Sequence, residues 1–313
     1  MQSDSKVLDL VYGGVFGTLF PLFLFAARAF ERRERGFEIA DQVIEAFVAL
    51  RPKYLDAVCA NMAQVMGLPE GHREVRRVAL RAIRNHAYSW VDFFRFGQRP
   101  AEEGWRCIDR IDGREHLEES LAAGKGVILL TAHLGSYELG GLLLRSRGRS
   151  IHAVYKPDRF EPVERLRTRM RENAGVVGVP VGGGFATLPL VKILREGRLV
   201  GMQGDRDFSL NGLPVPFFGR EAFFPRGPWE LAAMTGAAIV PAFFYTNAEH
   251  RFEAVFEPPI QVVGGRGERM AAIEAGMRRY VAHLEDLVRA RPDQWYCFYP
   301  FWEDPKRLQT SQA

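Results

Sequence analysis

The pattern of apolar and polar positions divides the chain into three parts. The first part is an apolar run over residues 10–27 that contains no charged residue. Residues 38–97 then carry apolar positions at the spacing of one helix face, which predicts helices that end in an aromatic-rich stretch. From about Trp105, short apolar, β-rich runs alternate with segments of helical length and pattern. This alternation predicts an α/β fold with a mixed, largely parallel sheet flanked by helices.

The elements of the predicted α/β part follow from the same pattern. The predicted strands are 127–130, 151–155, 176–179, 199–202 and 238–244. The predicted helices are 137–145, 159–173, 185–196 and a longer one over about 268–290. We find no internal repeat and no linker-like segment in the sequence. We therefore expect an N-terminal appendage over residues 1–35 and one domain over 36–313, helical over 36–100 and α/β over 101–313.

The apolar run 10–27 predicts membrane association. It is slightly shorter than the roughly 20 residues typical of a membrane span. Arg28, Arg32, Arg33 and Arg35 follow it, which is the reverse of the charge order in a secretory signal peptide. By the positive-inside rule, the body of the protein is expected on the cytoplasmic side. The run is expected to span the membrane or to lie in its interface, and a helix buried in the protein's own core is the alternative.

Composition narrows the class of protein further. The formal net charge is +4, with 42 Lys and Arg against 38 Asp and Glu. Apolar residues make up 47% and charged residues 26%, which excludes a disordered chain and a polytopic membrane protein. The charge excess is too small to indicate a nucleic-acid partner. Cys59, Cys107 and Cys297 are far apart, so we expect no disulfide framework, no zinc site and a reducing compartment.

Candidate catalytic residues follow the first predicted strand. His133 lies three residues after the strand 127–130, and Glu138 lies five residues after His133. Ligands usually bind at the carboxyl ends of strands in open α/β sheets. If a helix begins near Ser136, with that serine as its N-cap, the first turn directs Glu138 toward the imidazole and makes His133 a stronger base. No G-x-S-x-G motif or catalytic cysteine signature accompanies the pair, so the base is expected to activate a hydroxyl of the substrate.

A basic segment follows in the chain. Residues 156–171 carry six positive charges against three negative ones on a predicted helix. Arginine binds phosphate through two parallel hydrogen bonds, so the segment indicates an anionic head group, an acyl carrier or anionic lipid. The alternative is a solvated helix face with local ion pairs, and it is the preferred interpretation for Arg165 and Arg167.

Two later features extend the candidate site. Asp205 follows the predicted strand 199–202, and it is either a second carboxylate for His133 or a helix N-cap. Phe217 and Phe218 lie in the segment 215–219, which predicts a short apolar strand and a turn. They either form the wall of a groove for an acyl chain or pack in the core.

These residues resemble the bacterial lipid A lauroyl/myristoyl acyltransferases and their relatives that acylate phosphatidylinositol mannosides. The stretch from His133 to Glu138 is similar to the HxxxxD/E block of glycerolipid-type acyltransferases. Lipid A enzymes commonly carry Asp-Gln where Asp205-Arg206 stands here. The Asp-Arg-Asp form is closer to the phosphatidylinositol mannoside branch, in which an acidic residue at this place partners the histidine. Further blocks in the family's order are 51–62 with Asn61, 171–175, 204–207, 212–219 and 225–228.

The resemblance implies a glycerolipid-acyltransferase-like fold and an acyltransferase at the cytoplasmic face of the bacterial inner membrane. His133 would take the proton from a hydroxyl or amine of a lipid or glycolipid acceptor, which attacks an acyl thioester on acyl-CoA or acyl carrier protein. Glu138 would orient His133, Asp205 would assist, and backbone N–H groups near Gly135 or an arginine would stabilise the oxyanion. No metal or redox cofactor and no nucleic acid is implied. The substrate-binding residues implied are Arg171, Arg206, Gly135, Ser136, Phe217, Phe218 and Gly219.

Two other functions remain open at this point. A hydrolase would use the same His133–Glu138 pair to activate water and cleave a thioester or a phospholipid. It would release free fatty acid where a transferase acylates an added acceptor. A non-enzymatic lipid-binding protein would use only the apolar N-terminus and the arginines, and it would tolerate the change Glu138→Gln.

Overall fold

A computed structural model of the protein describes residues 32–99, 101–145, 150–158, 161–181, 187–207, 210–265 and 267–303. The apolar run 10–27 lies outside the described residues, so its predicted membrane association stays a prediction. Among the helices in the described ranges, none is both long enough and apolar enough to cross a membrane.

The described ranges contain ten α-helices and nine β-strands, with 3₁₀ turns at Tyr137–Leu139 and Pro292–Gln294. The helices are α1 (Arg33–Leu50), α2 (Pro52–Met66), α3 (Arg73–Phe96), α4 (Ala101–Arg106), α5 (Arg114–Ala122), α6 (Gly140–Arg145), α7 (Glu161–Asn173), α8 (Thr187–Arg195), α9 (Gly227–Thr235) and α10 (Arg269–Ala290). The strands are β1 (Ile108–Asp112), β2 (Val127–Thr131), β3 (Ile151–Tyr155), β4 (Val176–Pro180), β5 (Leu199–Gln203), β6 (Leu213–Phe217), β7 (Arg220–Phe224), β8 (Ala238–Thr246) and β9 (Phe252–Phe256).

Seven strands form one mixed sheet in the order β1-β9-β8-β2-β5-β3-β4. Neighbouring strands pair in parallel, except that β8 and β9 are antiparallel. The four residues 127–130 of β2 are all buried, because strands flank β2 on both sides and α5 and α9 pack against it. A strand in this position needs a continuous apolar run, and the sequence supplies one. The α/β fold with a mainly parallel sheet is therefore confirmed.

The structure also contains three strands that the sequence pattern did not predict. They are β1, β7 and β9. β1 has the sequence IDRID, in which charged residues occupy three of five positions, and none of its residues is fully buried. Its low apolar content explains why the pattern gave no strand there. The five predicted strands of the sheet are all present, with their ends shifted by at most two residues.

Contacts between residues divide the described chain into two compact units. The first unit comprises residues 32–95, 216–223 and 284–303, and it contains α1, α2 and most of α3. The second unit comprises the described residues of 96–215 and 224–283, and it contains the seven-stranded sheet. The candidate catalytic residues belong to the second unit.

In the first unit, the buried amide of Asn61 links α2 to the C-terminal segment. Its Nδ2 donates hydrogen bonds to the carbonyl oxygens of Cys297 at 3.1 Å and Tyr299 at 2.7 Å. Its Oδ1 accepts the backbone N–H of Phe301 at 3.1 Å. One side chain thus satisfies three backbone groups of a segment that has little regular structure of its own.

We predict that Asn61→Ala lowers the free energy of unfolding by about 3 kcal/mol, because it leaves buried backbone groups without hydrogen-bond partners. Urea denaturation followed by circular dichroism measures this loss. Asn85→Ala is the matched control, because Asn85 donates a single, partly buried hydrogen bond to the carbonyl of Asp293. The control should lose about 1 kcal/mol. Equal losses in the two variants would contradict the role given to Asn61.

Candidate active site

His133 and Asp205 lie at equivalent places after two neighbouring strands. β2 and β5 pair in parallel, with Thr131 opposite Gln203. His133 lies two residues beyond Thr131, and Asp205 lies two residues beyond Gln203. Because both strands end in register, their following residues meet at the carboxyl edge of the sheet.

Asp205 makes two hydrogen bonds with His133. Its Oδ1 lies 2.8 Å from the ring Nδ1, and its Oδ2 accepts the backbone N–H at 3.0 Å. His133 is 8% exposed and Asp205 is 1% exposed. Asp205 lies in a loop, and the next described element is strand β6, so the N-cap alternative is wrong. Of the two predicted alternatives, the structure places Asp205 as a carboxylate partner of His133.

The protonation states of the pair follow from their surroundings. Burial raises the pKa of the Asp205 carboxyl, but the hydrogen bonds from His133 and the charge of Arg206 outweigh burial and keep this pKa below its ordinary value. An ionised carboxylate only accepts hydrogen bonds, so Nδ1 of His133 carries the proton. The other ring nitrogen, Nε2, is then free to accept a proton.

The imidazole itself is held in its neutral form. Burial lowers the pKa of His133, and the positive charge of Arg206 lowers it further, while Asp205 and Glu138 act in the opposite direction. The net pKa lies below the ordinary value of 6.5. A neutral imidazole at pH 7 is what a general base requires. The ring of Tyr137 lies edge-on to it, with 5.3 Å between the ring centroids.

Glu138 pairs with two arginines of α7. Its Oε1 lies 3.2 Å from Nη2 of Arg171 and 3.3 Å from Nη2 of Arg167. Burial raises the pKa of the Glu138 carboxyl, but the two arginines lower it more, so the net pKa is below its ordinary value. The sequence predicts that Glu138 orients the imidazole of His133, but in the structure its carboxylate accepts hydrogen bonds from Arg167 and Arg171 and not from the imidazole. Asp205 holds that position instead.

The local backbone determines where the Glu138 side chain points. The helix expected near Ser136 begins as the 3₁₀ turn Tyr137–Leu139, in which Glu138 is the central residue. Ser136 precedes the turn but makes no capping hydrogen bond with its side chain. Its Oγ lies 3.1 Å from Oγ1 of Thr246 instead.

Arg171 is the most buried cation of the site, with 4% of its surface exposed. Its guanidinium carbon lies 4.3 Å from the centroid of the Tyr155 ring, in a cation–π contact. Its Nη1 is buried and has no hydrogen-bond partner among the described residues. A buried donor without a partner costs about 1–3 kcal/mol, so a ligand acceptor at this nitrogen is favourable.

The arginines 165 and 167 behave differently from each other. The Arg165 side chain is 65% exposed and pairs with Glu161, which agrees with the predicted solvated face. The Arg167 side chain is only 14% exposed and pairs with Glu138 and Asp158, so the same prediction is wrong for Arg167. A signal for this was present in the sequence. Arg167 precedes Arg171 by four residues, which places both side chains on one helix face.

The loop after β2 is fixed against β8. Gly135 has φ +60°, and a Cβ there would lie 2.3 Å from the carbonyl oxygen of Phe244, so glycine is required. The backbone N–H of Ser136 donates to that oxygen at 2.7 Å. The Ser136 amide is thus already bonded. An oxyanion role for other N–H groups near Gly135 stays a prediction.

Phe217, Phe218 and Gly219 lie at the tip of the β6–β7 hairpin, in the first unit. The Phe217 ring is fully buried and packs against Trp295 and Trp302. Phe218 and Gly219 form the two-residue turn, with φ +51° and +75°, a backbone region that favours glycine. These contacts give the three residues core and turn roles. Their predicted part in substrate binding stays a prediction.

An apolar cavity lies beside the loop that follows His133. Its enclosed volume is about 20 Å³, within about 350 Å³ of space that includes open solvent, and its exposed lining atoms are apolar. Its walls come from elements that are separated in the chain, so the sequence pattern carries no signal for it. The lining residues include Phe96, Trp105, Ser136, Leu139, Phe244 and Phe252. Within the described ranges, no group of three or more His, Cys, Asp or Glu side chains is placed to hold a metal ion.

Comparison with known proteins relates this chain to acyltransferases of lipid A and of phosphatidylinositol mannosides. The family model described as bacterial lipid A biosynthesis acyltransferase matches residues 3–304. A phosphatidylinositol mannoside acyltransferase of Mycobacterium tuberculosis (strain CDC 1551 / Oshkosh) is 28% identical over 247 residues, which cover 77% of this chain and 75% of the relative. A lipid A biosynthesis palmitoleoyltransferase of Escherichia coli (strain K12) is 26% identical over 189 residues, which cover 59% and 58% of the two chains.

The matched residues include His133, Asp205 and Arg171, so the match covers the site described above. The resemblance found in the sequence is thereby confirmed, including its likeness to the phosphatidylinositol mannoside branch. The protein is an acyltransferase, and its chain belongs to the bacterial lipid A biosynthesis acyltransferase family.

Proposed function

We propose that the protein transfers a fatty acyl chain from an acyl thioester to a hydroxyl or amine of a lipid or glycolipid, with His133 as the general base. The observation that carries this proposal is the contact between His133 Nδ1 and Asp205 Oδ1 at 2.8 Å. The contact fixes the tautomer that leaves Nε2 ready to accept a proton. Membership of an acyltransferase family supports the reaction class.

The reaction balances with the residues of the site. His133 Nε2 takes the proton of the acceptor hydroxyl, and the hydroxyl oxygen forms a bond to the thioester carbonyl carbon. The resulting tetrahedral oxyanion collapses and breaks the carbon–sulfur bond. The imidazolium returns its proton to the leaving thiolate, so an ester and a free thiol are produced. Asp205 stabilises the imidazolium while it exists.

The acceptor is proposed to be an anionic glycolipid. Arg171 offers a buried Nη1 without a partner in the described chain, beside the ion pair with Glu138. A phosphate or a sugar hydroxyl of the acceptor would accept this hydrogen bond. The relatives are named for phosphatidylinositol mannoside and for lipid A, and these names support a glycolipid here. Since arginines follow the apolar run 10–27, we place the reaction at the cytoplasmic face of the bacterial inner membrane.

The acyl chain of the donor is proposed to lie in the apolar cavity. Ser136, three residues after the base, is one of its lining residues, and the exposed lining offers apolar contacts to methylene groups. Since the enclosed volume is about 20 Å³, the walls have to move apart to admit the chain. The thioester carbonyl would then lie at the mouth of the cavity, near His133. Acyl-CoA and acyl carrier protein both fit this arrangement, because they differ only beyond the sulfur.

We predict that His133→Ala reduces acyl transfer by at least about a thousandfold, because the acceptor loses its base. The assay supplies labelled palmitoyl-CoA, or the palmitoyl carrier protein, with vesicles of total membrane lipid, and separates acylated lipid from free fatty acid. His250→Ala is the control, because His250 is exposed and lies outside the site. Full transfer by a folded His133→Ala variant would exclude the general-base role. Free fatty acid as the main wild-type product would favour the hydrolase.

The two carboxylates should respond differently to neutralisation. Asp205→Asn is expected to lower kcat by about a hundredfold or more, because the amide no longer holds the proton on Nδ1 of His133. Glu138→Gln should mainly raise KM for the acceptor, because Arg171 loses its ion pair and its fixed position. Steady-state kinetics with the same vesicles separate the two effects. A larger kcat loss in Glu138→Gln would contradict this division of roles.

The cavity predicts a dependence on acyl chain length. Leu139→Trp adds bulk to the cavity wall, so it should shift the preferred donor toward shorter chains. The kcat/KM values for octanoyl-, dodecanoyl- and palmitoyl-CoA measure this preference. Leu188→Trp is the control, since Leu188 is 72% exposed on α8. An unchanged chain-length profile in Leu139→Trp would place the acyl chain elsewhere.

A further inference from the structure

One backbone oxygen joins the two catalytic strand ends to helix α10. The carbonyl of Thr131, the last residue of β2, accepts the backbone N–H of Gly204 at 2.8 Å. The same oxygen accepts the hydroxyl of Tyr280 at 2.8 Å. His133 follows two residues after Thr131, and Asp205 follows directly after Gly204. A shift of this oxygen therefore moves both partners of the catalytic pair.

Tyr280 is fixed tightly in place. Its side chain is fully buried, its ring stacks on Phe243 and it lies edge-on to Trp229. A Cβ at Gly204 would lie 3.0 Å from the Tyr280 Cζ, so the loop that carries Asp205 rests directly against this ring. Burial raises the pKa of the Tyr280 hydroxyl well above its ordinary value, as does the charge of Asp205, so the hydroxyl keeps its proton and donates.

We propose that Tyr280 is a positioning residue for the reaction, which holds the ends of β2 and β5 so that Asp205 stays in contact with His133. This inference rests on the proposed function only in naming His133 as the base. The catalytic groups themselves remain His133 and its partner. Tyr280 acts through the Thr131 carbonyl, two residues before His133.

Loss of the Tyr280 hydroxyl is expected to change the pKa of His133 in one direction. Asp205 raises the pKa of the imidazole, so a looser contact between them lowers this pKa further. No new charge is introduced by Tyr280→Phe, because both side chains are neutral. The charged groups that act on the imidazole are Asp205 and Arg206 after β5 and Glu138 in the 3₁₀ turn, and the Tyr137 ring lies edge-on to it. Arg167 and Arg171 of α7 pair with Glu138, and the hydroxyl of Tyr280 on α10 is influenced by the charge of Asp205.

The test is Tyr280→Phe, which removes one hydroxyl and keeps the ring. Long-range ¹H–¹⁵N NMR of the full-length protein, with His133 assigned through His133→Ala, gives the tautomer and the pKa of the imidazole without any substrate. We expect the pKa of His133 to fall in Tyr280→Phe, because the contact with Asp205 that raises it becomes looser. In the lipid-vesicle assay, kcat should fall about tenfold at unchanged KM. In an Asp205→Asn background, Tyr280→Phe should have no further effect on kcat.

Tyr88→Phe is the matched control, because the Tyr88 hydroxyl donates to Asp41 in the first unit. It should leave the titration of His133 unchanged. An unchanged titration of His133 in Tyr280→Phe would overturn the proposal, as would an equal loss of kcat in both backgrounds. If Tyr280→Phe does not fold, Gly204→Ala takes its place, since its methyl group pushes against the Tyr280 ring and the Leu130 side chain and so moves the loop that carries Asp205. A normal titration in Gly204→Ala would then overturn the proposal.

The experiments distinguish a failure of the proposed acyl-transfer function from a failure of the positioning role of Tyr280. A protonated Nδ1 in the wild type and a shifted titration in Tyr280→Phe would support the positioning role even if vesicle lipids gain no acyl chain. In that case the absence of acyl transfer would contradict the general-base function of His133, and the positioning role of Tyr280 would stand.

Discussion

The in-register parallel pairing of β2 with β5 is the constraint on which the active site depends. It places His133 and Asp205 at the same height beyond the sheet edge, although 72 residues separate them in the chain. Their contact is short because the strand ends are hydrogen-bonded to each other through the Thr131 carbonyl and the Gly204 N–H. The apolar residues of β2 are buried in the sheet, so the strand that precedes His133 is held in place. The fold therefore determines the tautomer of the base before any substrate binds.

The two carboxylates of the site are placed in different electrostatic surroundings. Asp205 faces an imidazole and stays ionised through hydrogen bonds from His133. Glu138 faces two arginines of α7 and neutralises part of their charge. In the proposed mechanism, Asp205 serves the proton transfer, and Glu138 holds the arginine that binds the acceptor. Glu138, Arg167 and Arg171 remain largely buried together because the carboxylate and the guanidinium groups carry opposite charges.

Much of this site could be predicted from the sequence. The parts that could not be predicted have physical reasons. Strand composition located the ends of β2 and β5, and the resemblance identified His133, Asp205 and Arg171. From its spacing, Glu138 is predicted to orient the imidazole, with Asp205 as either a second carboxylate or an N-cap. The direction of the Glu138 side chain depends on the 3₁₀ turn and on the arginines of α7. The number of residues between His133 and Glu138 gives no information about either. Tyr280 gave no signal, since 149 residues separate it from the carbonyl that it contacts.

The central claim is that the His133–Asp205 pair performs acyl transfer to a membrane lipid. Mass spectrometry of total lipids tests it most directly, in cells that lack the gene and in the same cells carrying the wild-type gene or the His133→Ala variant. The account predicts one lipid species that lacks a single acyl chain in the deletion and regains it only with the wild-type gene. A lipid profile that the deletion leaves unchanged, or that the His133→Ala variant restores, would contradict the account.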